Sequence, residues 1–196
     1  MIAFRVYVGG KQICTAGVEN GFMSTTVQWI GRTHLPDQQP NQLSLHVGGL
    51  GSDTKEHLEW LVPNLQVGDR VTIQVVEANK PDEPKRRYKS EKKNFRLRDL
   101  KEREKLLIVS DQASPIRIGF RVFANGKEVC SAGAPENGAL TVHLMNGIGR
   151  KQFTIRFGIG GIDRNADLRL EYPAPQIQVG DRVTVHVFQM DKVDSP

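Results

Sequence analysis

The chain has 196 residues, of which 38% are hydrophobic and 25% charged, and its formal net charge is +5. That balance is that of a soluble globular protein rather than a disordered one, and no apolar run nears the ~18–20 residues that cross a bilayer, so no membrane partner is expected. The opening Met1-Ile2-Ala3-Phe4-Arg5 lacks the basic start and apolar core of a signal peptide, which makes a cytoplasmic location the default, with export by another route left open.

From the N-terminus, Ala3 to Val8 alternates, with Phe4, Val6 and Val8 on one side and Arg5 and Tyr7 on the other. A period of two is a strand with one buried face. Gly9-Gly10 follows, and both residues tolerate the positive φ of a two-residue hairpin turn. A second strand is expected over Gln12 to Ala16. Further strands are expected at Met23–Ile30, Leu43–Val47, Glu56–Trp60 and Arg70–Glu77. Thr54–Leu61 has a short helix as its alternative. Val67-Gly68-Asp69 is a turn signal, with glycine free in φ and aspartate able to bond nearby amides.

The same string then returns. Phe4-Arg5-Val6 recurs as Phe120-Arg121-Val122, Cys14 as Cys130, and Glu19-Asn20-Gly21 as Glu136-Asn137-Gly138. Val47-Gly48-Gly49-Leu50 recurs as Ile159-Gly160-Gly161-Ile162, and Gln66 through Thr72 is identical to Gln178 through Thr184. The second set of strands is expected at 118–124, Leu140–Met145, Phe153–Ile159, Leu168–Tyr172 and Arg182–Gln189, with Asn125-Gly126 as its hairpin turn. The expected fold is therefore all-β: a tandem duplication of a small antiparallel sandwich or barrel-like unit of about six short strands, at 1–84 and 116–196.

Between them, residues 85–115 carry 11 basic and 5 acidic groups, whereas residues 1–84 carry 6 and 9 and residues 116–196 carry 10 and 8. The high charge belongs to the linker. Lys85, Arg86, Arg87, Tyr88, Lys92 and Lys93 form a cationic run that reads as a solvated spacer, or as a nucleic-acid contact through phosphates and base stacking. A short helix is allowed from Asn94 to Val109.

Candidate chemistry is thin. With a two-residue hairpin loop, Arg5 faces Cys14 and Arg121 faces Cys130, and a guanidinium beside a thiol favours the reactive thiolate. The competing reading makes both cysteines small apolar filler. A Cys14–Cys130 disulfide requires hairpin-to-hairpin packing of the two units. The five histidines do not recur at matched positions, so no metal site and no cofactor is expected. Gly48-Gly49 with Asp53, and Gly160-Gly161 with Asp163, form either strand-to-loop bends or a ligand site flanked by the recurring Arg32 and Arg150. No two carboxylates are set apart for hydrolytic chemistry.

Three functions remain. The first is a non-enzymatic binding or adaptor protein, with two similar units acting bivalently or as a pseudo-dimer, and another protein as partner. The second is nucleic-acid binding through the linker. The third is an enzyme of unknown class.

Overall fold

A computed structural model describes residues 1–31, 42–60, 62–89, 118–134, 137–148, 153–163 and 165–190. The chain is all-β, with thirteen strands and no helix among the described residues. They are β1 (Ile2–Val8), β2 (Lys11–Gly17), β3 (Gly21–Ile30), β4 (Gln42–Gly51), β5 (Glu56–Glu59), β6 (Arg70–Glu77) and β7 (Arg86–Lys89), followed by β8 (Ile118–Ala124), β9 (Lys127–Gly133), β10 (Gly138–Ile148), β11 (Phe153–Asp163), β12 (Leu168–Tyr172) and β13 (Arg182–Gln189). No helix is long and apolar enough to cross a membrane among those residues.

Two antiparallel sheets hold these strands, one in the order β2-β1-β6-β13-β8-β9 and the other β12-β11-β10-β3-β4-β5-β7. Each sheet is continuous across both halves of the chain. Strand β6 pairs with β13 in the first and β3 with β10 in the second. With β7 set aside, the order in each sheet reads the same from either end once sequence-matched strands are substituted.

Alternation builds the core. Val71, Ile73 and Val75 on β6, Val183, Val185 and Val187 on β13, and Phe4, Val6, Phe120 and Val122 on β1 and β8 are all fully buried. From the other sheet Met23, Val27, Val47, Leu140, Val142 and Leu144 join them in one cluster. A single apolar layer thus lies between the two sheets, as the period of two in each strand requires.

The turns follow the expected backbone chemistry. Gly9 and Gly10 have φ of 58° and 83°, and Asn125 and Gly126 have 51° and 81°, the left-handed pair of a type I′ hairpin. At the Val-Gly-Asp turns, Gly68 and Gly180 have φ of 96° and 97°, and Asp69 and Asp181 each accept the amide hydrogen of the residue three before.

The turns also cross between halves. The Gly68 amide donates to Val187 O and the Val187 amide to Asp69 O, while the Gly180 amide donates to Val75 O and the Val75 amide to Asp181 O, all at 2.9 Å. Thr72 and Thr184 stand opposite each other on β6 and β13, their hydroxyls 3.0 Å apart. The identical seven-residue string thus sits where each half meets the other. A contact in which the same surface serves both sides restricts both strings together.

Three expectations are corrected. The helix alternative over Thr54–Leu61 fails in its described residues 54–60, where Glu56–Glu59 is strand β5, leaning on Gly48, Gly49 and Leu50 of β4. Gly48 and Gly49 lie inside β4, and Gly160 and Gly161 inside β11, so neither pair is a strand-to-loop bend. The cationic run is in part a strand, because Arg86–Lys89 forms β7 on the edge of β5. The Asn94–Val109 segment, Lys92 and Lys93 lie outside the described residues.

Candidate functional site

The hairpins decide the thiol chemistry. A bulge between Val6 and Tyr7 sets Cys14 opposite Val6 and Thr15 opposite Arg5, and the second hairpin sets Cys130 opposite Val122 and Ser131 opposite Arg121. The expected Arg5–Cys14 and Arg121–Cys130 pairs are therefore wrong by one residue, and one residue in a strand reverses the face. Each cysteine points with the core residues, while Arg5 and Arg121 lie on the outer face. Arg121 instead approaches Glu128 at 3.8 Å and lies over the Phe188 ring at 5.5 Å.

Burial foremost, with the Asp82 carboxylate behind it, pushes the Cys14 thiol up to about 12. Burial, then Glu128, raises Cys130 as well. Both cysteines are free, and β2 and β9 are the two outer strands of the six-stranded sheet. Five strand spacings of ~4.8 Å put them roughly 24 Å apart, far beyond the ~7 Å Cα limit of a disulfide.

Alkylation tests this directly. At pH 7 a thiol shifted to about 12 holds roughly a thousandfold less thiolate than one at the ordinary 9.0, so native Cys14 is expected to resist iodoacetamide until denaturant is added. Reaction of folded Cys14 at the rate of a free thiol defeats the assignment. The same shift is worth stability while the thiol stays protonated. That contribution is whole below pH 9 and is lost as pH rises from 9 towards about 12.

The glycine pairs lead elsewhere. On the outer face of the seven-stranded sheet, missing side chains leave two troughs. The first, of about 310 Å³, runs over Gly48 and Gly49 between Phe22, Ser24, His46, Leu50, His57, Glu59 and Tyr88. The second, of about 680 Å³, runs over Gly160 and Gly161 between Ala139, Thr141, Gly158, Ile162, Arg169 and Glu171. Every lining of the first trough except Tyr88 has its sequence counterpart in the second, Ser24 with Thr141, Leu50 with Ile162, His57 with Arg169 and Glu59 with Glu171, while the second extends further, over His143, Phe157, Leu168 and Tyr172.

The glycines are required by neighbours. A Cβ on Gly49 would sit 2.8 Å from Phe22 O, and one on Gly160 2.8 Å from Leu170 O. One on Gly161 would collide with the Ala139 carbonyl oxygen. Backbone atoms cannot yield as a flexible side chain does, so close strand contact explains Gly49, Gly160 and Gly161 without a bound anion, while a Cβ on Gly48 meets first the His46 side chain.

The troughs differ at one end. In the first half Tyr88 on β7 stacks on His57, with ring centres 5.2 Å apart, and donates its hydroxyl to Glu59 at 2.9 Å. That hydrogen bond raises the Tyr88 phenol above its ordinary value. The second trough has no such cover among the described residues, and His143, whose pKa burial lowers, stands on its floor. His46 and His143 flank Thr26 on one rung of the sheet. Their common rung comes from pairing between distant strands, which periodicity cannot supply.

The remaining candidates scatter. Asp53 accepts from Asn20 Nδ2 at 3.1 Å beside a separate hollow, and Asp163 caps its own turn through the Asn165 and Ala166 amides. Neither belongs with the troughs. Arg32 and Arg150 lie outside the described residues. Of the basic run, Arg87 is held by Glu83 at 2.5 Å, Arg86 stands opposite Glu59, and Lys85 borders a hollow with His46 and Trp60. Among the described residues, no group of three or more histidine, cysteine or acidic side chains could hold a metal ion.

Comparison of the chain with protein-family models, with curated proteins and with solved structures finds no match.

Proposed function

We propose that the chain is a non-enzymatic binding protein, arisen by tandem duplication of one β-sandwich unit whose two copies, residues 1–84 and 116–196, are locked as an internal pseudo-dimer. It offers one composite surface to another protein. The observation that carries this reading is the pair of corresponding troughs on one face of one continuous sheet. Bivalence then needs no flexible tether, because the sheet itself sets the spacing. Two rigidly spaced sites raise effective concentration for a partner that reaches both. The sheet that carries them mixes apolar Phe22, Leu50, Met145 and Ile162 on its inner strands with Arg156 on β11 and with Arg86 and Arg169 on its two outermost strands. Apolar anchors among arginines favour a protein partner.

Binding of nucleic acid is the second reading, favoured by Arg86 and the Tyr88–His57 stack at the sheet edge. It ranks lower because Tyr88 is engaged by Glu59 and Arg87 by Glu83. Aromatic faces and cations already committed to neighbours offer less to bases and phosphates.

Ser24 stands beside Gly48 and Thr141 beside Gly160, both facing outward. Ser24→Arg with Thr141→Arg therefore fills both troughs without entering the core. Proteins captured from source lysate by the immobilised chain are expected to fall at least about tenfold for the double variant, which removes both anchoring sites. Each single variant should lose less. An unchanged captured set ends the proposal, and capture abolished by nuclease transfers it to nucleic acid.

A further inference from the structure

The two halves treat one edge differently. In the first, β7 covers β5, with Arg86 opposite Glu59 and Tyr88 opposite His57. In the second, β12 pairs with β11 on one side, and among the described residues no strand pairs with its other side. Leu168 is left 57% exposed there. A free edge is a row of unpaired amides and carbonyls, ready to accept an extended chain.

What it accepts can be read from its own side chains. Glu171 keeps the acid of Glu59 and so calls for a cation opposite, as Arg86 provides in the first half. Arg169 replaces His57 and calls for an anion. Leu168 and Leu170, on the other face, call for apolar partners. The segment Leu168-Arg169-Leu170-Glu171-Tyr172 read antiparallel to itself meets every demand. Centred on Leu170, it sets Arg169 opposite Glu171 twice, Leu170 opposite Leu170, and Leu168 opposite Tyr172. Arg169 and Glu171 pair with each other at 3.1 Å on one face with side chains 81% and 75% exposed, and a solvent-exposed pair of this kind costs little to exchange for the same charges across a strand pair. Opposite charges directly across a strand pair stabilise it, and like charges oppose it.

We propose that β12 is a homodimer interface, at which a second copy of this chain adds its own β12 antiparallel and joins two seven-stranded sheets into one. The twofold axis passes through Leu170, and the larger troughs of the two copies come to lie on either side of it on a common face. This interface is separate from the partner-binding reading and stands or falls without it.

Charge exchange tests it on the full chain. Sedimentation equilibrium from 1 to several hundred micromolar is expected to show the wild-type chain passing from monomer to twice the chain mass. Arg169→Glu alone sets acid against acid at both pairs, and Glu171→Arg alone sets base against base. Each is expected to weaken self-association at least tenfold while circular dichroism stays unchanged. An equimolar mixture of the two variants restores both opposite-charge pairs, and should dimerise within about threefold of wild type. A wild-type chain that remains monomeric throughout overturns the proposal. So does a mixture no tighter than either variant alone, or self-association that neither substitution weakens.

Discussion

Phe120→Ala is expected to remove about 3–5 kcal/mol of folding stability, and Phe4→Ala about as much. Both rings are completely buried. Their surroundings match as well: Phe4 lies between Ala16 and Val75, and Phe120 between Ala132 and Val187. The same side chain removed from the same neighbours should leave the same cavity. Because domain stabilities run to only about 5–15 kcal/mol, either change consumes a large fraction of the total. Urea unfolding followed by tryptophan fluorescence and by circular dichroism measures this. One coincident transition, shifted to lower urea in both variants, is the expected result, since a single apolar cluster joins both halves. Two transitions, with each substitution moving only one of them, would mean that the halves keep separate cores.

Much of that core was legible in the residues. Alternation marked Phe4 and Val6 as sharing the buried face, and Asn125-Gly126 and the Val-Gly-Asp strings named their turns, because these signals act over two to four neighbouring positions. Errors came where one extra residue or a distant strand decided the outcome. The bulge beside Val6 shifted Cys14 to the inward face and away from Arg5, and no local pattern announces such an insertion. Gly48-Gly49 and Gly160-Gly161 read as bends, since the backbone oxygens that exclude a Cβ at Gly49, Gly160 and Gly161 belong to other strands. Arg86–Lys89 is exposed, as its charge implies, but that charge also hides a strand whose pairing partner is the edge of β5. The troughs depend on at least three strands meeting in each half, and were visible only as a hint of paired glycines. The recurrence of Gln66–Thr72 was plain, but not that the two strings meet in reciprocal contact across β6 and β13.

That reciprocity yields the last expectation. A chain ending after residue 89 should be folded only as a homodimer. Alone, it exposes the edges of β6 and β3 that β13 and β10 cover in the whole chain, together with one side of the shared core. Unpaired edges beside exposed apolar residues are unstable as a monomer in water. A second copy can replace what was cut away. Val187 corresponds to Val75, so the bonds that Gly68 and Asp69 make to Val187 are available to them from Val75 of another copy. Thr72 would meet its own counterpart where it now meets Thr184. Since association and folding are then one event, the melting temperature should rise with protein concentration, and dilution into the nanomolar range should unfold the fragment. Sedimentation equilibrium with concentration-dependent thermal melts reads both effects. A fragment that melts cooperatively as a monomer, at a temperature independent of concentration, would show that the first half needs no partner and that pairing through β6 and β3 is not what completes its fold.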